Sequence, residues 1–144
     1  MIAVTVMVVA TIMVHYEVLR FTSRHLTELP IPARARIIAV VCAAFFAHTV
    51  SVWLYAFAYW ILVANLGLGS FEGRVLGGFE DCLYFSVITY TSLGLGDLYP
   101  TSHARLIAGV ESLNGLVLIG WSASYTYLVM EKYWPLHVPR QRRP

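Results

Sequence analysis

Three stretches of this chain are apolar and long enough to cross a bilayer as helices, which takes about 20 residues each. They run from Ile2 to about Leu19, from Ile37 to about Leu66, and from Arg105 to Met130. The composition agrees, with 58% of the 144 residues hydrophobic and only 12% charged. A soluble surface carries roughly 25–35% charge, so water cannot be the solvent for most of this one. Most soluble enzymes, nucleic-acid-binding modules and disordered tails are excluded as classes. No nucleophile–base pair, metal-ligand cluster or nucleotide loop points to an enzyme, and no cofactor is expected.

The first stretch reads as a retained helix. No Lys or Arg precedes Arg20, and no small-residue cleavage pattern follows, so it is not a secretory signal. Basic residues then orient the chain. Arg20, Arg24, Arg34 and Arg36 lie between spans one and two, and Lys132, Arg140, Arg142 and Arg143 follow span three. These are eight of the ten Lys and Arg, on one side of three spans. Basic loops stay cytoplasmic, so a cell-membrane protein is expected with its N-terminus outside and its C-terminus inside. Paired prolines at Pro30 and Pro32 punctuate the inner connection, and a glycine-rich, flexible turret covers 67–80. The basic tail 135–144 reads as an anchor near anionic lipid.

The chemistry lies between spans two and three. A short apolar helix, 81–91, runs into Thr91-Ser92-Leu93-Gly94-Leu95-Gly96-Asp97. Backbone that leaves helical form at membrane depth must line water or be buried in protein. Here the carbonyls of Ser92, Leu93, Gly94 and Leu95, with the Ser92 hydroxyl, are placed to replace the hydration shell of a monovalent cation. Aiming them one way needs left-handed backbone at alternate positions, which Gly94 and Gly96 adopt at little steric cost. The C-terminal end of the short helix, near Tyr90, favours positive charge. Asp97 would concentrate cations at the mouth.

The run Thr89-Tyr90-Thr91-Ser92-Leu93-Gly94-Leu95-Gly96-Asp97-Leu98-Tyr99-Pro100 resembles the potassium-channel signature T-x-T-T-V-G-Y-G-D with its Tyr-Pro exit. The resemblance covers about two thirds of the chain, and it implies four identical subunits around one pore. The fold class is then an all-α membrane protein with three transmembrane helices, a re-entrant pore helix and a filter loop. The implied pore domain is 37–134, with an outer helix 37–66, a filter 92–97 and an inner helix 105–130; residues 1–36 are an added helix and linker. Gly115 matches the gating glycine, and Tyr84 and Phe85 match the aromatic pair that cuffs the filter. Ser92, Leu93 and Leu95 depart from the usual threonine, valine and tyrosine. The ion-facing oxygens survive, but the tyrosine hydroxyl that ties filter to cuff is lost. A similar G-L-G occurs in the second pore loop of some two-pore-domain potassium channels.

Polar groups inside the spans are functional candidates by default. Counting at 1.5 Å per residue across a core about 30 Å thick puts His48 level with Asn114, and Glu111 one turn above. A polar contact among His48, Asn114 and Glu111 is expected, either as structural glue or as a pH sensor. His15 and Glu17 read as end-of-helix residues near the inner face, and the same arithmetic separates His15 from His48 by ~10 Å.

The leading expectation is a potassium-selective homotetrameric channel in membrane lipid, with K+ as the permeant ion. The alternatives are a weakly selective channel that also passes Na+, a non-conducting accessory subunit, and a redox subunit holding haem between histidines.

Overall fold

The computed structural model describes residues 2–28, 30–67, 69–102 and 104–133; Trp134 and the basic tail lie outside them. The described residues form helices α1 (Ile2–Glu28), α2 (Ala33–Trp60), α3 (Phe79–Tyr90) and α4 (Ala104–Tyr133), with two short strands, β1 (Phe71–Gly73) and β2 (Leu98–Pro100). α1, α2 and α4 are long and apolar enough to cross a membrane. α3, at 12 residues, spans only about 18 Å and cannot.

The long helices overrun the expected spans. Pro32 is extended and caps α2, so the helix begins at Ala33 and takes Arg34 and Arg36 into its first turns. A proline at a helix start loses nothing, because the first N–H groups have no intrahelical acceptor. The Arg36 guanidinium lies 4.9 Å from the centre of the Tyr133 ring, which ties the start of α2 to the end of α4. α1 continues to Glu28 because Leu26 is buried with Val40 and Val129. Hydropathy marks where lipid would be met, whereas a helix persists as far as protein packs against it. α2 ends in a π-helical turn, Ile61–Asn65, with Leu66 N–H donating to the Ile61 carbonyl at 3.2 Å.

The connection expected to be a flexible turret is instead built around a clip. β1 pairs antiparallel with β2, Glu72 opposite Tyr99. Gly73 lies at φ 108° so close to the other strand that a Cβ would sit 2.2 Å from the Asp97 carbonyl oxygen. That glycine serves close approach, not mobility. Ser70 and Thr101 extend the clip, with Thr101 N–H donating to the Ser70 carbonyl at 2.8 Å. At the start of α3, the Asp81 carboxylate accepts from Gly77 N–H at 2.7 Å and Leu76 N–H at 3.1 Å. An acid in the first turn also suits the helix dipole.

α3 is wedged between α2 and α4. Phe85 packs against Tyr59 and Phe71, with ring centres 5.2 and 5.0 Å away. Cys82, Ile88 and Tyr90 are buried in the same cluster as Tyr55, Ile107 and Leu118. α4 reaches α3 through Gly115, where an added Cβ would lie 2.0 Å from the Tyr90 carbonyl oxygen. α4 is helical throughout, and Gly115 is the point at which it packs against the end of α3.

Gly115→Ala must therefore push α4 off the end of α3, at a cost of about 1–3 kcal/mol. Gly109 and Gly120 have nothing within 4 Å of an added Cβ, so alanine there should be neutral or stabilising by up to about 1 kcal/mol. Thermal unfolding of the three variants in one detergent checks this: only Gly115→Ala should melt markedly earlier.

Candidate functional site

The loop after α3 is shaped by where its N–H groups go. Thr91 N–H donates to the Val87 carbonyl at 3.2 Å, Ser92 N–H to Thr89 at 2.9 Å, and Gly94 N–H to Ile88 at 3.1 Å. The Thr91 hydroxyl donates to the Val87 carbonyl as well, at 2.8 Å. The last carbonyls of α3 thus anchor the loop from behind. Ser92, Gly94 and Gly96 lie at φ 58°, 53° and 77°, so every second residue is left-handed, and residues 91–96 are exposed along one flank of the chain.

Glycine at 94 and 96 was legible in the sequence, but left-handed backbone at Ser92 was not. A non-glycine residue pays roughly 1–2 kcal/mol for that conformation. The Ser92 hydroxyl is 2.8 Å from that of Ser112 on α4. The long helix thus holds the hydroxyl that was expected beside the ion.

Beyond the loop, Tyr84 donates its hydroxyl proton to the Asp97 carboxylate at 2.7 Å, and the accepting carboxylate raises the Tyr84 pKa. The Asp97 carbonyl accepts from Arg74 N–H at 2.8 Å. The expected aromatic pair divides, with Tyr84 holding the loop and Phe85 in the core. This bond from α3 supplies a tether of the kind that Leu95 cannot make.

The expected contact among His48, Asn114 and Glu111 is not found, because each has other partners. Glu111 accepts from Tyr59 at 2.6 Å and from Ser86 at 2.6 Å. Asn114 donates to Thr11 at 2.8 Å and to Tyr55 at 3.2 Å. His48 meets Tyr90 at Nδ1, 2.9 Å, and Ser122 at Nε2, 3.0 Å. His48 thus lies level with Ser122, two turns along α4 from Asn114. α2 and α4, at 28 and 30 residues, are about 42–45 Å long, so counting inward from both faces of a thinner slab brought their polar residues too close together.

His15 is corrected too. It is fully buried, its Nε2 is 2.7 Å from the Ser122 hydroxyl, and its ring centre is 4.8 Å from that of His48. The count failed because α1 runs nine residues past its expected end at Leu19. The two rings share one serine hydroxyl, which leaves no room between them for haem. Glu17 likewise lies well inside α1 rather than at its end, and it pairs with Arg20 at 3.1 Å.

Thr11, Tyr55, Tyr59, Ser86 and Ser122 were missed as partners. Their signal was present: Thr11 with His15, and Tyr55 with Tyr59, are polar or polar-tipped pairs at i, i+4 on otherwise apolar helices.

A helix–loop unit held between two long helices is the geometry that the comparisons meet. The model of a family described as "Ion channel" matches residues 37–132, two thirds of the chain. The chain belongs to this ion-channel family. The potassium-channel pore-domain resemblance is borne out at that level, and the protein is a multi-pass membrane transport protein rather than an enzyme. One curated relative, "Two-pore potassium channel 1" of Arabidopsis thaliana, is 43% identical over 61 residues, which are 40% of this chain and 17% of that protein. The chain therefore spans less than a fifth of that relative's length. No solved structure matches.

The tether predicts a local effect. Tyr84→Phe keeps the ring but frees Asp97, and a hydrogen bond to a charged group contributes about 1.5–3 kcal/mol. Amide hydrogen exchange should then rise at least tenfold at Arg74 and Gly94 and stay unchanged in the middle of α4.

Proposed function

We propose that this channel subunit conducts K+ passively as one quarter of a homotetramer, with residues 92–96 as the selectivity filter. The observation that carries the reading is the alternation of left-handed residues at 92, 94 and 96 directly after the carbonyl end of α3. Such a strand turns successive carbonyls toward one side, and in four copies those carbonyls would form stacked oxygen rings able to replace an ion's water. One chain supplies only one wall. The exposed flank of the filter and the exposed apolar residues Leu113, Leu116, Val117 and Leu128 of α4 fit neighbours around an axis.

In this reading α2, α3 and α4 make the pore unit and α1 is peripheral. The chain sits in the cell membrane with its N-terminus outside and its C-terminus cytoplasmic. Asp97 and the nearby Glu72 and Glu80 draw cations to the outer mouth, and the α3 dipole favours a cation below the filter. Ions in neighbouring rings repel one another and move in a queue. The printed name of the Arabidopsis relative supports potassium as the ion.

Weaker selectivity, with Na+ also passing, has one observation in its favour. The Ser92 hydroxyl is shared with Ser112, so it does not serve the innermost ring alone. A non-conducting accessory role has no such support.

Proteoliposomes containing the purified chain should pass K+ much faster than Na+. Comparable rates would support the weakly selective reading, and no flux would remove the channel reading for this chain alone. Gly94→Ala and Gly96→Ala each place a Cβ on left-handed backbone, at about 1–2 kcal/mol per subunit. Each should abolish the preference for K+ or stop conduction.

A further inference from the structure

A chain of side-chain contacts runs from the added helix to the residue just before the loop. His15 of α1 meets the Ser122 hydroxyl of α4 at 2.7 Å. Ser122 meets Nε2 of His48 on α2 at 3.0 Å. Nδ1 of His48 meets the Tyr90 hydroxyl on α3 at 2.9 Å. Every helix contributes, and the chain ends on the last residue of α3. Tyr90 is therefore gripped twice, at its hydroxyl by His48 and at its backbone by Gly115.

We infer that α1 is a strut for the filter, with His15 and His48 as positioning residues that act through the Tyr90 hydroxyl. This rests on the filter reading above and assigns the added helix a part in it.

The hydrogens fit a neutral arrangement. Ser122 has one proton and two lone pairs, so it can donate to one imidazole nitrogen and accept from the other. If it donates to His48 Nε2, His48 Nδ1–H donates to Tyr90, and His15 Nε2–H donates to Ser122. That leaves His15 Nδ1 as a bare lone pair, and the structure gives it no hydrogen-bond partner.

An added proton breaks this pattern. On His48 it turns Nε2 from acceptor to donor and leaves the Ser122 proton without that acceptor, and on His15 it creates a buried N–H without an acceptor. The groups around the two rings are Tyr90 from α3, and Ser122 and Trp121 from α4; none carries negative charge to balance an imidazolium. Along α1, Thr11 bonds back to its own helix. The buried carboxylate, Glu111, lies three turns along α4 and accepts from Tyr59 and Ser86. Two imidazolium rings at the observed spacing of 4.8 Å would repel. Acid should therefore release Tyr90 and loosen the filter.

The test is the K+/Na+ permeability ratio, from reversal potentials of the full chain in planar bilayers, near neutral pH and at about pH 5. Tyr90→Phe removes one hydroxyl and keeps the packing, and it should lower the ratio about fivefold. His15→Ala should lower it comparably, and the double variant no further. His48→Gln retains a donor and an acceptor but cannot titrate, so it should hold the neutral ratio and blunt the fall that acid causes in the wild type. An unchanged ratio in Tyr90→Phe overturns the inference, as do multiplying effects of His15→Ala and Tyr90→Phe, or an undiminished acid response in His48→Gln. A wild-type chain that passes no cation overturns the channel reading and the inference with it, whereas a conducting wild type with indifferent variants overturns the inference alone.

Discussion

A chain that leaves helical form within a membrane has to satisfy its N–H groups inside the protein, since lipid offers them nothing. Here three loop N–H groups turn back onto the carbonyls of Val87, Ile88 and Thr89. These donors face the protein, and in the proposed filter the acceptors face the other way. Surplus oxygen on one side is what a cation needs, and it arises from satisfying donors rather than from any charged side chain. The left-handed residues follow from the same demand, because each reverses the local twist that would otherwise carry the next carbonyl round to the back.

Such a loop is only as well placed as the short helix beneath it. α3 cannot span the bilayer and would have no reason to stay at depth alone. It is held at its start by Asp81, at mid-length by Ser86 on Glu111, and at its end by Gly115 against the Tyr90 backbone. Glu111 also accepts a hydrogen bond from the Tyr59 hydroxyl, so one buried carboxyl group joins α2, α3 and α4. Burying it is costly, and losing either donor would leave it short of a partner. Those requirements fix a single register among the three helices more strictly than apolar packing could.

The sequence made the architecture legible because hydropathy and glycine spacing are local signals. Three apolar runs, a short helix and a Gly94-x-Gly96 turn each declare themselves within about 20 residues. Pairings across helices do not. His48 was assigned to Asn114, and His15 to the membrane face, because depth was counted on helices taken to fit a slab that they in fact exceed. The turret was read as flexible from its glycines, yet Gly73 is there because the Asp97 carbonyl leaves no space for a Cβ. Ser92 was read for its carbonyl and its hydroxyl, and nothing local revealed that Ser112, twenty residues on, would meet the hydroxyl. Composition reports which surface faces lipid; it does not report which polar atom faces which.

The added helix shows how polar residues can specify position where apolar contact cannot. Between two helices in lipid, apolar side chains gain little by meeting each other rather than hydrocarbon. α1 instead presents Thr11, His15 and Ser23 along its length, and α4 answers with Asn114, Ser122 and Tyr125. Both helices run in the same direction, so the three contacts follow in the same order along each. A shift of one turn would break all three at once and leave each group unpaired in an apolar setting. α1 is therefore held in one register against α4, and a helix so fixed can carry a mechanical load to the residues it touches.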